Sequence, residues 1–186
     1  MKKYEINKDG CCVALRSFGD VEEGDIGGFI ESEKNLSHEG NCWVSGDARV
    51  FGNARVYDDA WVSGNAWVYG NPLVYDDAWV SGTAIVSGDA VVAENAEVYG
   101  NAFVRGNARV SGNARVYENA IVSGNARVFG NAFVSGNTHL SGRAPTSEAI
   151  PSDAAKILEN LLDSPVESLT MDGITYKKTA AKWERA

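Results

Sequence analysis

Residues 103–128 read FVRGNARVSGNARVYENAIVSGNARV, and the same six-residue phrase recurs from Trp43 to Arg143. From Val44 to Leu140 an aliphatic residue returns every six positions without a break, and 16 of these 17 slots hold Val. Four residues after each comes a small slot, which holds Ala in 15 of 17 cases. Self-similarity at a fixed short period predicts a solenoid, in which each repeat buries its apolar face only by stacking on its neighbours.

The phrase also predicts the shape of each turn. Val and Ala lie at alternating separations of two and four, so both point inward from a short strand. Gly-Asn or Asp-Asp stands between them, and these residues tolerate the left-handed backbone of a tight corner. Three strands and three corners make a triangular coil of 18 residues, and the 17 hexads then give about 5.7 turns.

The repeat resembles the hexapeptide repeat of left-handed parallel β-helix proteins, which include trimeric acyltransferases and gamma-class carbonic anhydrases. This resemblance covers about 100 residues, and the left hand of the coil is implied by it alone, because β crossovers are in general right-handed. Gly27-Gly28-Phe29-Ile30 and residues 35–44, NLSHEGNCWV, resemble the opening of uncharacterised hexapeptide solenoids of phages, prophages and gut bacteria, often labelled polymer-forming. The resemblance implies a phage-type protein without a demonstrated activity.

Three segments follow from these patterns. Residues 1–42 are expected to form an N-terminal β-hairpin and cap, with the hexad register reaching back to His38 and Cys42. Gly27-Gly28 indicates either positive φ or a close backbone approach. Residues 43–144 form the β-helix, so the fold class is an all-β solenoid. Residues 145–186 predict a small α/β extension, with a helix after Pro151, a β-hairpin around Asp172-Gly173, and a short helical end from Thr179 to Arg185.

The composition of the chain indicates which cellular location, cysteine chemistry and partners to expect. No apolar run reaches the length of about 18 residues that spans a membrane, and the first residues lack a secretory signal, so we expect a cytoplasmic protein. Cys11, Cys12 and Cys42 are odd in number and form neither a CxxC motif nor a Cys/His cluster. They are expected to be buried or incidental thiols rather than a disulfide framework or a metal site. We expect no cofactor, and the low sequence pI of about 4.8 disfavours nucleic acid.

The charge of −8 is unevenly distributed along the repeat. Residues 44–98 contain eight acids and two bases, a net −6, whereas residues 99–144 contain one acid and five bases, a net +4. Two interpretations stay open: a mixed surface that serves solubility, or a C-terminal half that attracts an anion or an acidic partner. The anion-binding candidates are four Arg and two Tyr: Arg105, Arg109, Arg115, Arg127, Tyr99 and Tyr117.

The positions beside each Val form columns, because residues 18 apart stack. Trp43, Trp61 and Trp79 form an aromatic ladder, which could stack bases or sugars but which we expect to pack on the N-terminal cap or on a neighbouring subunit. A second column is apolar and is predicted to form a subunit contact or the bed of the C-terminal helix. It contains Trp67, Ile85, Phe103 and Ile121.

Catalytic and metal-binding candidates are weak. His139 is a weak candidate base, since acyltransferases of the resembled class use a His between subunits, but the hexads here run without an excursion loop. With only two His, the chain cannot supply the three that gamma-class carbonic anhydrases place on Zn²⁺. Asp58 and Asp76 stack at one corner and are weak candidates for a Ca²⁺ site.

The sequence therefore favours a non-enzymatic, oligomeric binding protein that presents aromatic and Arg columns on a rigid β-helix. Its expected partners are further copies of itself, with a trimer preferred, and either an anionic small molecule that it sequesters, such as a nucleotide-like signal, or a host protein. The alternatives are a CoA-dependent acyltransferase of the hexapeptide class and a filament-forming structural subunit.

Overall fold

The computed structural model describes residues 2–142 in full, and residues 145–146, 168–171, 174–179 and 182–185 as backbone strands. Strands β1 (Tyr4–Ile6) and β2 (Cys11–Ala14) pair antiparallel as an N-terminal hairpin, and β2 pairs antiparallel with β3 (Ile26–Ile30). A short 3-10 turn, Glu33–Asn35, follows. The chain then enters the repeat.

The repeat forms 18 short strands, mostly two residues long. In chain order they are β4 (Trp43–Val44), β5 (Arg49–Gly52), β6 (Arg55–Val56), β7 (Trp61–Val62), β8 (Trp67–Gly70), β9 (Leu73–Val74), β10 (Trp79–Val80), β11 (Ile85–Gly88), β12 (Val91–Val92), β13 (Glu97–Val98), β14 (Phe103–Val104), β15 (Arg109–Val110), β16 (Arg115–Val116), β17 (Ile121–Val122), β18 (Arg127–Val128), β19 (Phe133–Val134), β20 (His139–Ser141) and β21 (Pro145–Thr146).

Each strand from β4 to β18 pairs in parallel with the strand three further along the chain, which confirms the 18-residue coil. Two of the three resulting sheets have six strands, so the solenoid has about six turns. Each sheet has an outer surface that we name by its side chains. The Trp face is the outer surface of the sheet β4-β7-β10-β13-β16-β19, and the Arg face is the outer surface of the sheet β6-β9-β12-β15-β18-β21. The apolar face is the outer surface of the strands β3-β5-β8-β11-β14-β17-β20. The all-β solenoid predicted from the hexads is therefore correct, whereas its hand stays a prediction from the resemblance.

The core of the coil consists of the predicted slots. Every Val of the series from Val44 to Val134 is at most 1% exposed, and so is Leu140. Each of these burials is worth about 1.5–3 kcal/mol before ordering entropy is counted. The Ala residues in the small slots between 48 and 132 are equally buried, and Thr138 is 3% exposed. These residues are explained by packing and carry no functional information.

The corners are held by left-handed backbone and by side-chain ladders along the axis. At Gly88, φ is +72°, and a Cβ there would lie 2.8 Å from the Gly106 amide nitrogen of the next turn, so the corner has no space for a side chain on that side. Four acids replace glycine at this position with φ near +58°: Asp58, Asp76, Glu94 and Glu118. Asn side chains link successive turns, as where the Asn113 amide donates to the Asn131 carbonyl at 3.1 Å.

The N-terminal hairpin closes one end of the coil by extending the apolar-face sheet, since β3 pairs in parallel with β5. Gly27 and Gly28 lie where the cap touches the coil. A Cβ on Gly27 would lie 2.3 Å from the Val44 carbonyl oxygen, and one on Gly28 would lie 2.6 Å from the Ala48 carbonyl oxygen. Of the two explanations for this pair, close backbone approach is the correct one.

The predicted start of the hexad register at His38 is wrong. Cys42 is buried in a small slot, but upstream of it the pairing partners are 20 residues apart instead of 18: Ile30 pairs with Val50 and Leu36 bridges to Val56. Ile30 and Leu36 are fully buried and fill the aliphatic slots, while His38 stacks on Tyr4 with ring centroids 4.3 Å apart. Two extra residues before Cys42 therefore shift the register.

At the other end, β22 (Ser168–Met171) pairs antiparallel with β20, and β23 (Ile174–Thr179) pairs antiparallel with β22. The last segment, β24 (Lys182–Arg185), is a strand paired with β23, so the helical end predicted from Thr179 to Arg185 is wrong there. The helix predicted after Pro151 and the Asp172-Gly173 turn lie outside the described residues. The domain boundaries at residues 42 and 144 stay predictions. Within the described part of the chain, no helix is long and apolar enough to cross a membrane.

Candidate functional site

The six residues expected to bind an anion are divided among three faces. Arg115, Tyr99 and Tyr117 lie on the Trp face, Arg109 and Arg127 on the Arg face, and Arg105 follows β14 on the apolar face. The structure therefore does not bring all six together. Arg105 and Arg109 flank one corner, and Arg109 pairs with Arg127 across one turn.

Arg109 and Arg127 form the most concentrated positive charge on the Arg face. Both side chains are exposed, and neither makes an ion pair with any acid in the described part of the chain. Phe129, which follows β18, is 38% exposed and lies on the same surface. Two guanidinium groups on strands about 4.8 Å apart repel each other, and a bound anion with two or more oxygens would relieve that repulsion.

Arg115 has a different environment. Its guanidinium nitrogen lies 3.2 Å from a Glu97 carboxylate oxygen, and the group lies over the Phe133 ring at 5.7 Å from the centroid. The neighbouring Tyr99 and Tyr117 rings stack with centroids 5.1 Å apart and an angle of 6° between their planes. The charge of Arg115 is therefore already balanced, so this residue is a weaker anion ligand than Arg109 or Arg127.

The Trp ladder is graded from buried to exposed. Trp43 is only 2% exposed because Phe18 and Tyr4 of the N-terminal cap pack edge-on against it, at 5.4 and 6.4 Å between centroids. Trp61 is half-buried, and Trp79 is 52% exposed. Stacking on the cap, which the sequence favoured, therefore explains Trp43 but not Trp79.

The apolar column has the exposure that its sequence suggested. Trp67 is 44% exposed and Phe103 is 37% exposed. Ile85, which lies between them, and Ile121, which follows Phe103 in the column, are half-buried. The column follows the axis over four successive turns. Its role as a subunit contact, and with it the homo-oligomer and the preferred trimer, stay predictions.

His139, the candidate base, lies at the end of the apolar column beside Ile121. Its Nε2 is 3.0 Å from the Ser123 hydroxyl, and that hydroxyl also lies 3.4 Å from the Leu140 carbonyl oxygen. Burial, and then the positive charge of Arg105, hold the pKa of His139 below its ordinary value of 6.5. A neutral imidazole in contact with a hydroxyl has the chemistry of an acid–base group.

The acidic corner has a structural explanation. The Asp76 carboxylate accepts the Glu94 backbone N–H at 3.1 Å, and the Glu94 carboxylate accepts the Gly112 backbone N–H at 2.5 Å. Each acid therefore stabilises the backbone of the next turn. Among the described residues, no group of three His, Cys, Asp or Glu is placed to hold a metal ion, and Asp58 belongs to the same corner.

The three cysteines are free, with Cys12 and Cys42 buried. Burial raises the pKa of the Cys12 thiol to about 12 and also raises that of Cys42. A thiol with a raised pKa is a poor nucleophile. The role of Cys42 is instead in a polar network that the sequence did not suggest: its sulfur and carbonyl oxygen both contact the amino group of buried Lys3, at 3.2 and 2.9 Å.

Two comparisons connect this geometry to known proteins. The family described as "YdcK Beta solenoid repeat" matches residues 48–64, 54–70, 108–124 and 122–136. Over 51 residues the chain is 39% identical to the "Uncharacterized acetyltransferase YdcK" of Escherichia coli (strain K12), which covers 24% of this chain. The matched part is 16% of the length of that relative, so this chain spans only a small part of it. The repeat matches and the six-turn parallel coil identify this chain as a hexapeptide-repeat-like β-helix protein.

Proposed function

We propose that this protein is a non-enzymatic binding scaffold whose C-terminal half captures an anionic small molecule on the Arg face. One observation carries the proposal: Arg109 and Arg127 are neighbours across one turn, both are exposed, and neither has an acidic partner in the described part of the chain. Phe129 beside them offers an aromatic edge for a planar group on the same ligand.

The chemistry favours a ligand with a phosphate or carboxylate. The planar guanidinium binds two oxygens at once, and two such groups at one site match a di- or triphosphate better than a single carboxylate. The surrounding 99–144 segment has a net charge of +4, which attracts anions to this half of the molecule. A nucleotide combines phosphate with a planar base and is our leading ligand class. Phage origin, capture of a host factor and cytoplasmic location stay predictions.

Isothermal titration calorimetry with a panel of nucleotides, cyclic nucleotides and inorganic pyrophosphate tests the proposal. The double variant R109A/R127A should lose binding, with each single substitution weakening it about tenfold or more. Two matched controls are Arg55→Ala, on the same face at the acidic end, and Arg115→Ala, which is paired with Glu97. Absence of binding across the panel, or equal losses in the control variants, would overturn the proposal.

A second candidate is acyl transfer, favoured by the printed name of the Escherichia coli relative and by the contact between His139 and Ser123. In this function the neutral imidazole would remove a proton from an acceptor hydroxyl or amine that attacks an acyl thioester; the C–S bond would break, and the imidazolium would return the proton to the departing CoA thiolate. Turnover of acetyl-CoA with a panel of amines and sugars, lost in His139→Ala and kept in R109A/R127A, would support it.

A discrete oligomer whose size does not change with salt would exclude the filament alternative.

A further inference from the structure

We propose that the Trp face carries a second site, which binds a neutral saccharide through Trp79 and Glu97. An open depression of about 180 Å³ lies between Trp79, Ser81, Glu97 and Tyr99. These residues come from two successive turns, since Trp79 pairs with Glu97 across β10 and β13. The site is on a different face from Arg109 and Arg127, so it is independent of the anion site.

Trp79 supplies a fixed aromatic surface. Its indole N–H donates to the Ser63 hydroxyl at 3.2 Å, as the Trp61 indole donates to Ser45 at 3.1 Å. The polar edge of the ring is therefore already bound to the protein, whereas the ring remains 52% exposed. Because the hydrogen bond fixes the side chain before any ligand arrives, stacking on it costs little additional side-chain entropy.

The polar side of the depression is a neutral pair rather than a free charge. Glu97 is held by Arg115 at 3.2 Å, and Arg115 is in turn held over the Phe133 ring. The carboxylate repels an anionic ligand, and Arg115 competes with a cationic one. A carboxylate nevertheless has four lone-pair sites, so it can still accept hydrogen bonds from hydroxyl groups.

These features together match a sugar ring. One face of a pyranose presents C–H groups that stack on an indole, and its edge presents hydroxyls that donate to a carboxylate. Ser81 and Tyr99 line the depression and provide further polar contacts, and Tyr99 is stacked on Tyr117. The depression is open to solvent and spans two successive turns along the axis, which suits part of a linear oligosaccharide better than a compact ligand enclosed in a pocket.

The experiment is a titration of the full chain with cellohexaose, maltohexaose and chitohexaose, followed by calorimetry or by the NMR signals of the indole N–H groups. We expect binding of at least one of these oligosaccharides, weakened roughly ten- to hundredfold by Trp79→Ala and also weakened by Glu97→Gln. Trp67→Ala is the matched control, because Trp67 is a similarly exposed Trp on the apolar face.

The outcomes separate the two sites and the competing ligand classes. R109A/R127A should keep saccharide binding, so failure of the anion proposal leaves this one standing, and the reverse also holds. The inference is overturned if none of the three oligosaccharides binds at millimolar concentration, or if Trp67→Ala and Trp79→Ala weaken binding equally. Binding of tetramethylammonium at Trp79 without any binding of the sugars would also overturn it, because the site would then select cations.

Discussion

The imidazole Nε2 of His139 and the hydroxyl of Ser123 lie 3.0 Å apart, and they occupy the same two positions of the repeat as Trp79 and Ser63. In both pairs a ring nitrogen meets the hydroxyl that lies 16 residues earlier. The Ser123 hydroxyl is also positioned to donate to the Leu140 carbonyl oxygen. In that arrangement Nε2–H donates to Ser123, as the Trp79 indole donates to Ser63. His139 then takes the structural role of a Trp in the ladder rather than that of a base acting on Ser123.

This geometry predicts how His139 titrates. Burial and then the charge of Arg105 lower its pKa, so it should titrate below 6.5 and be neutral at pH 7. Because the folded pKa is depressed, the associated stability is present above the unfolded value and is lost as pH falls through the folded one. An NMR pH titration of the imidazole C–H signal measures it. Arg105→Ala should raise this pKa and Arg109→Ala should not; a His139 pKa above 6.5 would contradict the assignment.

The acids at left-handed corners lead to a second prediction, at Glu118. Its backbone has a φ of +58°, and its carboxylate accepts the Gly136 N–H. Glu118→Ala removes the hydrogen bond and keeps the unfavourable φ, so it should lower the free energy of unfolding by about 1–2 kcal/mol. Glu118→Gly removes the same bond but relieves a backbone cost of about 1–2 kcal/mol. Urea denaturation should therefore find Gly less damaging than Ala, and the opposite order would disprove this explanation.

A third prediction concerns the contact of the cap with the coil at Gly27. A Cβ there would lie 2.3 Å from the Val44 carbonyl oxygen and 2.5 Å from the Cys12 sulfur, both fixed by the core. Gly27→Ala should destabilise the protein by roughly 1–3 kcal/mol through overpacking. Gly24→Ala is a useful control, because φ there is +94° but no atom lies within 4 Å of the new Cβ. Thermal unfolding should show the larger loss for Gly27→Ala; an equal loss would mean that backbone strain rather than contact dominates.

The sequence predicted the regular part of this fold well, because a six-residue period determines which side chains stack. The pairing of Arg109 with Arg127 and of Trp61 with Trp79 follows from the 18-residue turn alone. The six-residue period could not predict how exposed each side chain is. Trp43 and Trp79 occupy equivalent positions, and only the tertiary packing of the cap makes one buried and the other exposed. Arg105 and Arg115 lie on other faces than Arg109, because neighbouring hexads of a triangular coil are separated by a corner, and their role as anion ligands stays a prediction.

The sequence contains a sign of the register shift, which the backward count of six residues overlooked. Ile30 and Leu36 are six residues apart and fill aliphatic slots, and Val44 comes eight residues after Leu36 instead of six. Extending the register backwards by counting placed His38 in a slot that belongs to Leu36. Aliphatic residues, rather than an uninterrupted count, identify the slots near the end of the coil, because burial selects residue type while insertions alter spacing.

The last prediction concerns Lys3, which is fully buried beside the two-residue insertion that shifts the register. Its amino group donates to the carbonyl oxygens of Cys42, Gly40 and Glu39 at 2.9, 3.3 and 3.4 Å, and it lies 4.9 Å from the centroid of the Phe18 ring. Lys3 therefore supplies a donor to each of these three carbonyls at the start of the coil. Lys3→Met keeps the volume of the side chain but removes the donors, so unfolding should become easier by roughly 1–3 kcal/mol.

Lys2→Met is the matched control, because Lys2 is exposed and pairs only with exposed Glu33. A surface pair of this kind is worth about 0–1 kcal/mol, so its loss should change the urea midpoint little. Limited proteolysis adds a local measurement: Lys3→Met should expose the 38–41 segment to cleavage before the repeat itself unfolds. Equal stability and equal cleavage of the two variants would mean that packing alone positions the cap, and that the amino group of Lys3 is not needed to hold the shifted register.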